Sequence, residues 1–191
     1  CIKVKLGRGV MLNAVGLSGP GLHALLEMQL WQNLTRPFFI SVMPVAATRR
    51  ERLQEMTFIV QILAMHKNNF RAPFGLQINL SCPNTEHDPG ELIAESAKML
   101  HIASRLGVPL MPKYSIASAP IPAMLELNAH PACDVICVSN TIPFSWPGLD
   151  WKKLWGREVS PLAKFGGGGL SGAVLRPLVC DWIARLRTSG F

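Results

Sequence analysis

From residue 38 onward, apolar runs and chain breakers alternate at a regular interval. Residues 38–42 read as a strand that ends at Pro44. Thr48 and Glu51 then stand at capping-box spacing, in which each side chain accepts from the other residue's main-chain amide. Leu53, Met56, Val60 and Leu63 recur every three or four residues, which predicts a helix through His66. Phe74, Leu76, Ile78 and Leu80 alternate with Gly75, Gln77, Asn79 and Ser81, the period of a strand, and Pro83 stops it. Leu92, Ile93, Ala97, Leu100 and Ala103 predict a second helix, closed by Gly107. Residues 108–111 read as a strand, 121–128 as a short helix and 135–138 as a further strand. The succession is β-α-β-α-β-α-β.

Such alternation with short connections favours a parallel sheet, because each crossover returns the chain to the same end of the sheet through a helix. Periodicity does not separate an open sheet from a closed barrel, but the placement of polar residues does. Asn79, Ser81 and Cys82 end one predicted strand, Lys113 another, and Asn140 with Thr141 a third. Chemistry spread over several strand ends is the habit of parallel α/β barrels, whereas an open sheet gathers its ligand at one switch point. The expectation is a parallel α/β barrel, with residues 1–191 in one domain. Cys1 opens inside a patterned segment (Ile2, Val4, Leu6), so a truncated sequence is expected.

Composition narrows the classes further. With 49% hydrophobic and 16% charged residues, the chain has the material for a buried core and not the signature of disorder. No apolar run approaches the roughly 18 residues of a membrane span, and no leader pattern opens the chain, so the expectation is a cytoplasmic protein without a membrane partner. The net charge of +7 is dispersed; its densest group, Arg49, Arg50 and Arg52, reads as the solvated first turn of a helix and not as a nucleic-acid patch. Trp146, Trp151 and Trp155 read as packing residues, because no basic groove accompanies them. The five cysteines lack CxxC spacing, which argues against both a disulfide framework and a zinc site. Cys133 and Cys137, in an apolar run, are expected to be buried packing residues. Glu86, His87 and Asp88 are three adjacent loop residues that rarely face one ion together, and no metal site is expected.

The strongest local signal is Asn79-Leu80-Ser81-Cys82-Pro83-Asn84. Two amides, a hydroxyl and a thiol converge there without a carboxylate. Each amide both donates and accepts, which suits a planar heterocycle, and a deprotonated thiol takes up a proton. Spacing alone leaves open a polar strand end with a buried cysteine.

These residues resemble the dihydroorotate dehydrogenases. The likeness joins Ile78 to Thr85 with Lys113, Val138-Ser139-Asn140-Thr141, Gly168-Gly169-Leu170-Ser171-Gly172 and the early Asn13-Ala14-Val15-Gly16-Leu17, all in the family's order. The resemblance implies flavin-dependent oxidation of dihydroorotate to orotate in pyrimidine biosynthesis. Cys82 would be the catalytic base at C5, and C6 would give hydride to FMN. Asn13, Asn79, Asn84, Asn140 and Thr141, with Val15, Gly16, Leu17 and Ser81, would hold the substrate. Lys113, Asn79, Ser139, Gly169, Ser171 and Gly172 would lie against FMN, with the glycines letting main chain approach the flavin and a helix from about residue 173 to 187 behind them. A serine replaces the cysteine in the membrane-associated class, so Cys82 points to the soluble class. Implied partners are the small-molecule substrate, a possible electron-transfer subunit and a possible second copy, and no nucleic acid.

Departures and rivals stand beside this likeness. The resemblance implies a (β/α)8 TIM barrel of which residues 1–191 form roughly the middle half, as one partial domain. Flanking strands and another flavin-contacting lysine would precede Cys1, and the last strands with the phosphate-binding loops would follow Phe191. Pro112 before Lys113 removes a ladder donor. Gly167-x-Gly169-x-x-Gly172 fits the dinucleotide fingerprint, yet no convincing strand precedes it and no acidic residue follows at the needed distance, so that reading is rejected. A dihydropyrimidine dehydrogenase-like flavoenzyme and a non-catalytic flavin- or metabolite-binding remnant are the alternatives. Ser81 and Asn84 count against a tRNA-modifying relative. With two unpaired sheet edges, residues 1–191 alone are expected neither to fold as a stable monomer nor to hold FMN tightly.

Overall fold

The computed structural model of the chain describes residues 1–80 and 89–191. Its elements in chain order are β1 (Ile2–Lys5), β2 (Val10–Asn13), α1 (Leu22–Glu27), β3 (Phe38–Val42), α2 (Arg49–His66), β4 (Phe74–Asn79), α3 (Pro89–Ser104), β5 (Leu110–Tyr114), α4 (Ile121–Asn128), β6 (Cys137–Val138), β7 (Ile142–Pro143), α5 (Trp151–Trp155), β8 (Gly169–Gly172) and α6 (Leu175–Thr188). Two compact units result: residues 19–114 with 122–137, and residues 1–18 with 115–121 and 138–191.

The first unit carries the expected β/α succession. Its sheet runs β3-β4-β5-β6, and Ile40, Leu76 and Leu110 lie in parallel register across three strands. These residues and Ile78 are almost fully buried, as are Met56, Leu63, Met99 and Leu100 of the covering helices. The capping box forms as the sequence predicts: the Glu51 amide donates to Thr48 Oγ1 at 3.3 Å and the Thr48 amide to Glu51 Oε2 at 3.1 Å. The end of α3 is closed by Gly107 at φ +61° and by Lys67, whose Nζ donates to the carbonyls of Leu106 and Gly107 at 2.8 and 3.0 Å. A cation there meets the negative end of the helix dipole.

Four local expectations are corrected. The strand expected over residues 108–111 is shifted to Leu110–Tyr114, so Pro112 and Lys113 lie inside it. Pro112 is tolerated because of its side of the ladder. Leu110, two residues earlier, directs its amide to Asp134 Oδ2 and its carbonyl to the amides of Asp134 and Val135, away from β4. Strand periodicity puts the missing Pro112 donor on that same side, facing the two-residue β6, and the ladder to β4 stays intact. The strand expected over residues 135–138 shortens to β6. Arg52 is not solvated: its side chain is 11% exposed, its Nε and Nη2 donate to Glu95 Oε1 and Oε2 at 2.6 and 2.8 Å, and its Nη1 donates to the Ala46 and Ala47 carbonyls. Cys133 and Cys137 are half-buried, not buried.

The second unit holds an antiparallel sheet, β1-β2-β8-β7, that the sequence pattern does not announce. Leu12 pairs with Leu170 and Ile142 with Leu170, and all three are fully buried. Residues 169–172 are therefore a strand, and the rejected dinucleotide fingerprint has no strand–turn–helix to occupy. Trp151, Trp155 and Trp182 are buried, and Trp182 Nε1 donates to the Ala119 carbonyl at 3.1 Å. Among the described residues, no helix is long and apolar enough to cross a membrane.

Candidate active site

The two faces of the parallel sheet differ sharply. One buries Ile40, Leu76, Ile78, Leu110 and Tyr114. The other follows the opposite pleat. It begins with Phe39 over Gly75, where a Cβ would collide with the ring, and becomes polar toward the carboxyl ends of the strands. Ser41 Oγ donates to Gln77 Oε1 at 2.9 Å. One step further, Asn79 of β4 and Lys113 of β5 are register partners. Neighbouring parallel strands lie about 4.8 Å apart, so these two residues stand side by side near the strand ends. Asn79 Nδ2 also donates to Met43 Sδ at 3.3 Å, which fixes the amide from the adjoining loop. Both Asn79 and Lys113 are half-buried, wet enough to meet a ligand and packed enough to be held. Gln77 and Met43 were not singled out in the sequence. The strand alternation alone puts Gln77 on the Asn79 face, whereas nothing in the sequence signals the methionine.

The second unit brings another group together. Asn13, at the end of β2, directs Nδ2 toward the Gly169 carbonyl at 3.5 Å. A Cβ on Gly168 would lie 2.8 Å from the Asn13 carbonyl oxygen, and one on Gly169 would lie 2.7 Å from Thr141 Cβ. A Cβ on Gly172 would run into the main chain of Gly9. The space these three glycines leave is thus filled by the protein's own atoms, and among residues 166–169 only Gly166 faces open space. Ser139 Oγ donates to the Asn140 carbonyl at 2.6 Å, and Asn140 Oδ1 accepts from the Thr141 amide at 2.8 Å. Ser171 lies opposite Met11 in the β2–β8 ladder. Val15, Gly16 and Leu17 form an exposed loop, with Val15 and Leu17 44% and 64% accessible. Ser81, Cys82 and Asn84 lie outside the described residues, as do Glu86, His87 and Asp88.

The thiol of Cys133 is pushed up to about 11 by burial and by the neighbouring Asp134 carboxylate. Burial likewise raises the fully buried Tyr114 phenol. Ser96 lies beside that phenol and offsets part of the shift, but neither hydroxyl meets hydrogen-bond geometry with a described group. Such a thiol is protonated at neutral pH and a poor nucleophile. Among the described residues, no cluster of three or more His, Cys, Asp or Glu is arranged to hold a metal ion.

The family profile described as dihydroorotate dehydrogenase matches residues 2–190. The chain belongs to the dihydroorotate dehydrogenase family. Its fold is therefore the family's (β/α)8 barrel, and the parallel sheet β3-β4-β5-β6 is an arc of that barrel, unclosed in this chain. Among curated relatives, the dihydroorotate dehydrogenase B (NAD(+)) catalytic subunit of Geobacillus kaustophilus is 28% identical over 181 residues, covering 92% of this chain and 52% of the relative. The subunits of the same name from Listeria welshimeri and Listeria innocua are 25% and 26% identical, each covering 93% of this chain and 55% of the relative. The chain spans about half the length of the curated relatives it matches. The residues that carry the sequence resemblance fall in both units: Asn79 and Lys113 in the first, and Asn13, Asn140, Thr141 and residues 168–172 in the second.

Proposed function

We propose that this chain supplies the central part of a dihydroorotate dehydrogenase that oxidises dihydroorotate to orotate with FMN. The observation that carries the reading is the Asn79–Lys113 register pair on the polar face, at the carboxyl ends of parallel strands. Barrel enzymes assemble their chemistry at that end. The donor set fits the pyrimidine edge of a flavin: the Asn79 amide matches alternating acceptors and donors, and the Lys113 ammonium stabilises negative charge that develops there on reduction. FMN, when bound, supplies the hydride acceptor. Gly169, Ser171 and Gly172 are assigned to the cofactor through their main chain, since protein atoms already fill the space beside the two glycines.

In this reading Cys82, three residues beyond the end of β4, removes the proton from C5 of the substrate as thiolate. Asn13, Asn79, Asn84, Asn140 and Thr141 hold the ring and its carboxylate, with Val15, Gly16, Leu17 and Ser81 beside them and Ser139 on the flavin side. The names of the relatives, catalytic subunits of an NAD(+) enzyme, support a partner subunit that carries electrons away. Cys82→Ala in the full-length protein tests the base. Flavin reduction by dihydroorotate is expected to slow by about 100-fold or more while FMN stays bound, as when a general base is lost. Cys82→Ser is expected to keep part of the rate with its optimum at higher pH, because a hydroxyl is the weaker acid. Unchanged kinetics in Cys82→Ala would assign proton removal to another group.

A further inference from the structure

The outer surface of the first unit carries a groove of about 420 Å³ between α2 and α3, with Leu53 and Ile102 among its lining and Arg49, Arg50 and Lys98 around it. Among the described residues, no carboxylate lines it. Among the described residues none of the three cations forms an ion pair, and Arg49 Nε is buried without a hydrogen-bond partner. The acidic residues of α2 are committed elsewhere: Glu51 closes the capping box, and Glu55 Oε2 accepts from the Val45 and Ala46 amides at 2.6 and 2.9 Å. The single arginine of that turn with an internal role, Arg52, is matched by Glu95. Arg49 and Arg50 also sit in the first turn of an 18-residue helix, where the dipole disfavours cations, so their placement weakens the helix they begin.

From this geometry we infer that the α2–α3 groove is a docking surface for an acidic, amphipathic segment of another protein. Its carboxylates pair with Arg49, Arg50 and Lys98, and an apolar side chain enters between Leu53 and Ile102. Charge complementarity selects this occupant. A two-fold contact with a second copy would set the same three cations against one another, which like charges oppose. The apolar lining distinguishes a peptide segment from a small polyanion, which has no use for it. The groove residues lie outside the proposed catalytic set, so this inference and the proposed function stand or fall separately.

The test uses the full-length protein and a fluorescein-labelled helical peptide, rich in Glu with Leu at every fourth position, followed by fluorescence anisotropy. R49E/R50E/K98E is expected to weaken binding by about 10-fold or more, the range for losing desolvated charge pairs. R50E/K98E, which touches exposed positions only, is expected to lose most of that affinity while dihydroorotate oxidation is unchanged. The control R36E/R71E makes the same change in net charge as R50E/K98E on the segments that lead into the amino ends of β3 and β4, the opposite end of the sheet from Arg49 and Arg50. It is expected to leave binding within about 2-fold, since screening confines such effects to roughly 10 Å. Replacing Leu by Ser in the peptide is expected to cost at least about 5-fold. Equal loss in the control, no loss in the groove variants, or full binding by the Leu-free peptide with displacement by tripolyphosphate would each overturn the inference.

Discussion

Removing the Glu95 carboxylate is the sharpest test of how the first unit is held together. Arg52 and Glu95 side chains are 11% and 12% exposed and share two short hydrogen bonds, while Arg52 Nη1 reaches the Ala46 and Ala47 carbonyls at 3.2 and 3.1 Å. The pair therefore ties α3 to α2 and to the loop that leaves the carboxyl end of β3, the same end of the sheet at which Asn79 and Lys113 stand. Glu95→Ala takes this carboxylate from a guanidinium in a site with little water. Cutting one member of a buried pair costs about 3–5 kcal/mol, and the residual exposure argues for the lower end, about 3 kcal/mol. With a urea dependence of about 2 kcal/mol per M, the unfolding midpoint is expected to fall by roughly 1.5 M. Arg52→Met combined with Glu95→Leu removes both charges and is expected to recover most of the loss, because burying the pair itself gains little. Equilibrium urea unfolding of the full-length protein and the two variants, followed by circular dichroism, reads this out. A loss below about 1 kcal/mol in Glu95→Ala, the value of a solvated pair, would refute the reasoning.

Two further outcomes follow from the site and its surroundings. Lys113→Met is expected to weaken FMN binding and to slow flavin reduction by about 10- to 100-fold, which titration with FMN and stopped-flow absorbance measure; retention of both would remove the lysine from the flavin edge. Stability is expected to decline as pH rises from about 9 through about 11: the folded Cys133 thiol holds its proton up to about 11, whereas an unfolded one releases it near its ordinary 9.0, and the raised Tyr114 phenol adds to the loss above its ordinary 10.0. Cys133→Ala with Tyr114→Phe is expected to flatten that decline in thermal unfolding, and an unaltered slope would contradict the assignment.

The elements legible in the sequence are those with long, clean periods. β3, α2 and α4 begin and end where apolar spacing, the Thr48–Glu51 cap and the flanking breakers put them. The antiparallel sheet was not legible because its strands are two to four residues long, and β8 offers a single apolar residue, Leu170, among glycines and a serine. No period can be read from so few positions; tertiary pairing with β2 makes Gly169–Gly172 a strand. β5 runs past residue 111 because the donor that Pro112 lacks faces the two-residue β6, which no local pattern reveals. Arg52 read as solvated for a related reason. Its partner Glu95 is 43 positions away on another helix, a distance across which local pattern carries no information. For the site, alternation along β4 put Asn79 on a polar face, and the register with Lys113 needed the fold.

The central claim, that the protein to which this chain belongs is a flavoenzyme reduced by dihydroorotate, is tested most directly by anaerobic titration of the purified full-length protein. The account predicts a yellow protein whose flavin absorption is bleached by about one equivalent of dihydroorotate, with orotate formed in the same amount. A colourless protein that FMN cannot reconstitute, or bound flavin that stays oxidised in excess dihydroorotate, would contradict it.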